Sequence, residues 1–218
     1  MTFKPSEPMS SKTADPAQGL RSDVVWHKGH VQLADRSRLL RQQPMTVWLT
    51  GLSGSGKSTL GFGLERCLVD LGHACFVLDG DNIRHQLNRD LGFSPGDRSE
   101  NIRRIAEVAR LMNDAGLIVV TAFISPYLSD RHLAQEIIGA DRFFEVHVAA
   151  PITVCEQRDP KGMYKRARSG EIKEFTGVSA PYEAPVSPAL VIDTSSAPPQ
   201  TCISSILSEL RAHINHAL

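Results

Sequence analysis

The stretch with the densest chemistry in this chain is Gly51-Leu52-Ser53-Gly54-Ser55-Gly56-Lys57-Ser58-Thr59, which reads G-x-x-x-x-G-K-[ST] directly after the apolar run Val47-Trp48-Leu49-Thr50. Its glycines reach backbone angles closed to other residues, so consecutive amides can turn inward around phosphate oxygens at the mouth of the next helix. The N-terminus of that helix adds partial positive charge. Lys57 is placed to reach the β- and γ-phosphates of a nucleotide, and the Ser58 hydroxyl to enter the shell of a Mg²⁺ that otherwise keeps several waters. Thr59 reads as a helix-entry residue. A merely flexible Gly/Ser turn is the alternative, but the motif is complete and lies between a strand-like run and the helix-like Leu60 to Leu71. It implies a bound nucleotide and leaves the phosphate acceptor open.

Carboxylates follow at the right place. The β-rich run Ala74 to Leu78 ends in Asp79-Gly80-Asp81-Asn82, and ligands of open α/β sheets gather at the carboxyl ends of strands. Phosphoryl transfer to an alcohol needs one carboxylate to accept the hydroxyl proton and another on the metal side. Asp81, nearer the following helix, is assigned as the base, and Asp79 as the metal-side group and second choice for the base. A helix-capping role for Asp81 is compatible with this. Arg84, Arg98, Arg103 and Arg104 spread over the region facing the acceptor, where a planar guanidinium fork suits sulfate, phosphate or carboxylate. A solvated helix face is the alternative for each, though Arg98 and Asn101 open a helix beside the strand ends. Phe93 and Phe175 are loop aromatics that either stack on a base or close a loop.

Between Arg158 and Lys173 the bases Arg158, Lys161, Lys165, Arg166, Arg168 and Lys173 outnumber Asp159 and Glu171. Such a segment reads as a lid that folds over polyphosphate and excludes water. Nucleic-acid contact is disfavoured, because 24 Lys and Arg balance 24 Asp and Glu and leave no broad positive field. The four cysteines form no C-x-x-C pair and the eight histidines no H-x-x-x-H pair, so zinc is not implied and reduced thiols are expected. The longest apolar run, Leu117 to Ile124, is far short of the roughly twenty residues of a membrane span. The N-terminus lacks the apolar core of a signal peptide, so the expected location is the cytoplasm.

These groups need a frame, and 218 residues suit one α/β domain. Residues 1 to about 22, rich in Ser, Pro, Lys and Asp, read as a disordered tail, and residues 23–218 as the domain. A short helix is expected around Asp35 to Arg41. Further helices are expected at Ile83 to Leu91, Asp97 to Ala115 (stopped by Gly116), Ser129 to Ile138, Pro151 to Gln157 and Cys202 to Leu218. Strands are expected at Leu117 to Ile124, Phe143 to Ala149 and Ala189 to Ile192 besides the two already named. Strands alternating with helices predict a parallel sheet covered on both faces.

Taken together the motifs resemble those of the adenylyl-sulfate (APS) kinase family. Besides residues 51–59, the resemblance lies in Leu78-Asp79-Gly80-Asp81-Asn82-Ile83-Arg84, Leu91-Gly92-Phe93-Ser94 and Arg98-Ser99-Glu100-Asn101-Ile102-Arg103-Arg104. It continues in Phe123-Ile124-Ser125-Pro126-Tyr127, Arg158-Asp159-Pro160-Lys161-Gly162, Phe175-Thr176-Gly177 and Pro181-Tyr182-Glu183-Ala184-Pro185, and covers the chain from about Val24 onward. The resemblance implies a three-layer P-loop NTPase-type α/β fold with a mostly parallel five-stranded sheet and a basic lid at about 158–176. It implies ATP and Mg²⁺ as cofactors and transfer of phosphate to the 3′-hydroxyl of adenosine 5′-phosphosulfate in sulfate activation. The implied APS pocket uses Asp81, Arg84, Phe93, Arg98, Asn101, Ile124, Ser125, Lys161 and Phe175, with the adenine between Phe93 and Phe175. Arg158 would lie near the ATP adenine.

Ser125 matches a serine that the family is often described as phosphorylating; direct in-line transfer needs no covalent step, and a serine at a strand end can simply bind substrate or magnesium. One departure is Leu128, where the family commonly has a basic residue. A homodimer and a functional link to ATP sulfurylase are also implied. The competing readings are a kinase of another small alcohol or nucleoside, which the arginine and phenylalanine pocket disfavours, and a nucleotide switch, for which no Asn-Lys-x-Asp motif is present.

Overall fold

The computed structural model describes Val25 and residues 27–215. The expected disordered tail, residues 1–22, lies outside them. The chain divides into two units, residues 1–31 and 32–218; the described residues of the first carry no helix or strand.

In the second unit the alternation of side chains along Thr46–Thr50 builds the centre of the fold. This strand, β1, buries all five residues: Val47 and Leu49 enter one hydrophobic cluster and Trp48 the other. A strand buried on both sides needs helices on both sides. It pairs in parallel with β3 (Ile118–Ala122) on one side and β4 (Phe143–Ala149) on the other, while β2 (Cys75–Asp79) and β5 (Leu190–Asp193) add outside them, giving the order β2-β3-β1-β4-β5. The sheet is parallel throughout.

One face is covered by α2 (Lys57–Asp70) and α8 (Pro199–Ile214), which bury Leu60, Leu64, Leu68, Ile203, Ile206 and Leu210. The other is covered by α4 (Pro95–Asp114) and α5 (Leu128–Ile138), through Ile102, Ile105, Ala106, Ala109, Ala134 and Ile138. A helix α1 (Leu33–Leu40) precedes the sheet, and α3 (Gly80–His85), α6 (Ile152–Arg158) and α7 (Met163–Arg168) are short pieces near the carboxyl ends of the strands. A third, small cluster of Cys155, Tyr164, Ala167 and Phe175 gives the basic segment its own core.

Two expectations are corrected. The helix expected from Ile83 to Leu91 ends at His85 and is followed by turns through Asp90, because the Asn88 amide reaches back to Ile83 O (3.1 Å) and draws Asn88 into the interior. The helix itself begins three residues earlier than expected, since Asp79 caps it: its Oδ1 accepts the amides of Asp81 (3.1 Å) and Asn82 (3.4 Å). Asp81 is therefore not the cap, and its carboxylate is left for other work.

Candidate active site

The loop between β1 and α2 is shaped by what surrounds it. A Cβ on Gly51 would lie 2.5 Å from the Val148 carbonyl oxygen, and one on Gly54, at φ +74°, would lie 3.0 Å from the Cys155 carbonyl oxygen. Only glycine fits between the end of β4 and α6 in this conformation. Lys57, 8% exposed, donates to Gly51 O (2.9 Å), Leu52 O (2.7 Å) and Ser55 Oγ (3.4 Å). Burial lowers its pKa to about 8; Cys155 and Asp79 oppose the shift and Lys161 adds to it. Thr59 lies in the first turn of α2 and also borders the cleft.

Ser58 Oγ donates to Asp79 Oδ2 at 2.7 Å, so the cap that starts α3 also turns its second oxygen toward the loop. This is a hard, oxygen-only donor pair of the kind that serves Mg²⁺ together with waters and substrate phosphates. Among the described residues no group of three or more His, Cys, Asp or Glu forms a self-sufficient metal cage. Asp81 is exposed and ion-paired with Lys161 from the basic segment.

Both carboxylates open on a cleft of about 840 Å³. Ser53, Gly54, Gly56, Lys57 and Ser58 of the phosphate loop line it together with Arg84, Phe93, Arg98, Asn101, Ile124 and Ser125, and with Arg158 and Lys161 of the basic segment. Phe93 is 60% exposed, with the Arg84 guanidinium 4.5 Å from its ring centre. Arg84 is held by Leu91 O (3.2 Å) and Gly92 O (2.9 Å), and burial beside Arg98 shifts its pKa downward. Arg98 joins two walls: it donates to Phe93 O (2.8 Å), Thr176 Oγ1 (3.0 Å) and Glu174 O (2.5 Å).

Phe175 departs from the expected base-stacking position. It is 7% exposed and packs edge-on against Tyr164, ring centres 4.9 Å apart, in the small core of the basic segment, while Phe62, Phe93 and Phe123 are the phenylalanines that line the cleft. Arg103 and Arg104 also stay away from the cleft, paired with Glu100 (2.7 and 2.8 Å) and, for Arg104, Asp90 (2.8 Å). Gly51, Leu52 and Ser55 lie behind the loop and serve it through the oxygens that Lys57 binds.

Ser125, just past β3, is 2% exposed with φ 39°, a strained left-handed value for a non-glycine residue. Its Oγ accepts the buried Trp48 indole N–H (3.2 Å), and its carbonyl accepts from Arg131 (2.6 Å). Arg131, itself 2% exposed, also holds Glu145 (2.8 Å) and Glu183 O (2.6 Å), so a buried guanidinium fixes the strained turn. Leu128, where a basic residue was the family habit, opens α5 with its amide on Glu183 Oε2 (2.6 Å).

Sequence reasoning missed Thr194. It follows β5, donates to Ser55 O (2.7 Å), and receives Arg158 on its hydroxyl (3.1 Å) and carbonyl (2.6 Å), joining the phosphate loop to the first arginine of the basic segment. The strand-end rule that singled out Asp79 applies equally to a threonine after the last strand. Tyr164, also missed, donates to Ser53 O (2.9 Å).

Comparison with known proteins bears on this geometry. A family model described as Adenylylsulphate kinase matches residues 43–193. An adenylyl-sulfate kinase of Shewanella denitrificans is 53% identical over 191 residues, covering 88% of this chain and 93% of that protein. One of Clostridium acetobutylicum is 48% identical over 192 residues, covering 88% and 96%. Among solved structures, an APS kinase of Mycobacterium tuberculosis in complex with AMPPNP and APS superimposes with a TM-score of 0.74 at 46% identity, covering 77% of this chain and 98% of that one.

Proposed function

The chain belongs to the adenylylsulphate kinase family, and from that premise we infer that it is an ATP-dependent kinase of adenosine 5′-phosphosulfate. It transfers the γ-phosphate of ATP to the 3′-hydroxyl of APS, giving 3′-phosphoadenylyl sulfate and ADP. The observation that carries the reading is convergence: the phosphate loop, the Asp79–Ser58 pair, Asp81 and the Arg84–Phe93–Arg98 wall all open on one cleft.

In this reading the loop amides and Lys57 hold the β- and γ-phosphates, while Arg158, fixed by Thr194, borders the nucleoside end. Ser58 and Asp79 would hold Mg²⁺, which when bound would neutralise negative charge on the nucleotide's phosphates. On the acceptor side the APS base lies against Phe93, Arg84 and Arg98 serve its anionic groups, and Asn101, Ile124 and Ser125 bound the nucleoside. Phe175 supports the lid from within. Asp81 accepts the 3′-hydroxyl proton as that oxygen attacks the γ-phosphorus in line and the bond to ADP breaks. Ser125 acts by binding: its hydroxyl oxygen already accepts from Trp48, and a phosphoryl group there would displace that buried bond. Lys161, paired with Asp81, brings the lid's charge to the reacting centre. The same reading takes the enzyme to act in the cytoplasm and, as the resemblance implies, to be a homodimer functionally linked to an ATP sulfurylase; no helix among the described residues is long and apolar enough to cross a membrane.

Asp81→Asn tests the assignment of the base. The exposed side chain can be replaced without disturbing the cap, which is Asp79, so kcat is expected to fall about 100-fold or more with KM for ATP little changed. A near-normal kcat would remove Asp81 from that role.

A further inference from the structure

The turn that ends α3 early buries a polar side chain beside the acceptor wall. Asn88 is 0% exposed, and its backbone is tied at both ends, N–H to Ile83 O (3.1 Å) and C=O from Leu91 N–H (3.1 Å). Its Nδ2 donates to Oδ1 of Asn101 at 2.9 Å, while its own Oδ1 has no hydrogen-bond partner among the described residues. Asn101 in turn is 4% exposed and borders the cleft.

A carboxamide has an acceptor end and a donor end, and a bond that fixes one decides what the other offers. With Asn101 Oδ1 engaged by Asn88, its Nδ2 is the end left for a ligand. The reverse arrangement, both amides turned over, keeps one hydrogen bond but strands the Asn88 NH₂ in place of its oxygen. Unpaired buried donors are rarer and less tolerated than under-used carbonyl oxygens, so the observed orientation is the favoured one.

We propose that Asn88 is a positioning residue that sets the polarity of Asn101, so that the acceptor side of the cleft presents a fixed N–H donor and selects a substrate carrying a lone-pair acceptor at that point. The inference rests on the reading of this cleft as the APS site. Asn88 touches no substrate and acts only through Asn101. A reader of the sequence finds no sign of it, because the two residues meet only when the chain leaves the helix after His85.

Asn88→Asp, nearly isosteric, supplies the test. The introduced carboxyl group, when ionised, can only accept; it draws Asn101 Nδ2 inward and turns Oδ1 toward the cleft. When protonated, the same group donates to Asn101 Oδ1 and restores the original orientation. Kinetics of N88D and wild type from about pH 5.5 to 8.5 should therefore show KM for APS raised about ten-fold at the alkaline end and returning toward wild type as pH falls, with kcat and KM for ATP within about two-fold. Arg84, His85, Arg89, Asp90 and Arg104, which belong to this turn or bond it, are common to both proteins, so their titrations cancel in the ratio. A KM for APS that tracks wild type at every pH, or a change shared equally with ATP, overturns the proposal. If N88D does not fold, Asn88→Leu frees Asn101 without placing a charge, and an unchanged KM for APS in that variant overturns it too. Absence of APS turnover in the wild type would instead overturn the reading of the site.

Discussion

Lys57 shows how a single residue ties the phosphate loop to pH. Its ammonium is buried against carbonyl and hydroxyl oxygens, and its pKa falls from 10.5 to about 8. Because the folded pKa lies below the unfolded one, the folded chain binds fewer protons between those values. The cost of the buried charge is fully present below pH 8 and is relieved as pH rises toward 10.5, so this group makes stability increase with pH in that window. A polyphosphate reverses the preference by favouring the charged form. Nucleotide binding should accordingly take up a proton above pH 8, and the Kd of an ATP analogue should climb toward about ten-fold per pH unit there while staying flat from about pH 7 to 8. A flat profile through about pH 9.5 would show that Lys57 stays charged unaided. That Lys57, Ser58, Asp79 and Asp81 meet at one cleft was legible in the sequence because their places follow from spacing within one motif or one strand end. Thr194 and Asn88 were not: Thr194 meets a partner 139 positions away, and Asn88 acquires its role only from a turn that helical periodicity conceals.

Among the elements, the basic segment proposed as a lid is the one with a core apart from the rest. Cys155, Tyr164, Ala167 and Phe175 form their own cluster, leaning on Leu52, and Tyr164 is hydrogen-bonded to Ser53 of the phosphate loop. The basic composition of residues 158–173 suggested a lid but gave no sign that Phe175 packs into that segment's small core; an aromatic in a loop can satisfy itself against a neighbour or a ligand, and composition does not choose. Phe175→Ala removes a buried aromatic, a change that costs about 3 to 5 kcal/mol in a well-packed core. Since that core is local, the loss should appear as opening of the lid. Limited trypsin digestion is expected to cut F175A faster within residues 158–173, at Arg158, Lys161, Lys165, Arg166 or Arg168, with KM for ATP raised and the cooperative melting of the sheet nearly retained. A matching fall in whole-protein Tm with no faster cleavage there would mean that the lid and the sheet unfold together.

At the scale of the whole molecule, the order β2-β3-β1-β4-β5 turns sequence-distant strand ends into one site. The carboxyl ends of β1, β2, β3 and β5 bring Gly51 to Ser58, Asp79 to Asp81, Phe123 to Ser125 and Thr194 to the same edge of the sheet. The fold class was legible because a strand such as β1, with the unbroken apolar run Val47-Trp48-Leu49, needs cover on both faces, and helical segments alternate with strands along the chain. The strand order was not, since apolar runs carry no record of which neighbour they pair with. With formal charges balanced over the chain, binding of two anionic nucleotides depends on this convergence of local cations and amides and not on a general field. The most direct test of that account is ADP release from ATP and Mg²⁺ with APS as acceptor, run beside adenosine 5′-monophosphate, adenosine and a panel of sugars, with the product's phosphorylation site assigned by ³¹P NMR. Turnover with APS far above the other acceptors and a 3′-phosphorylated product is the predicted result; silence with APS alongside turnover of another alcohol would contradict it.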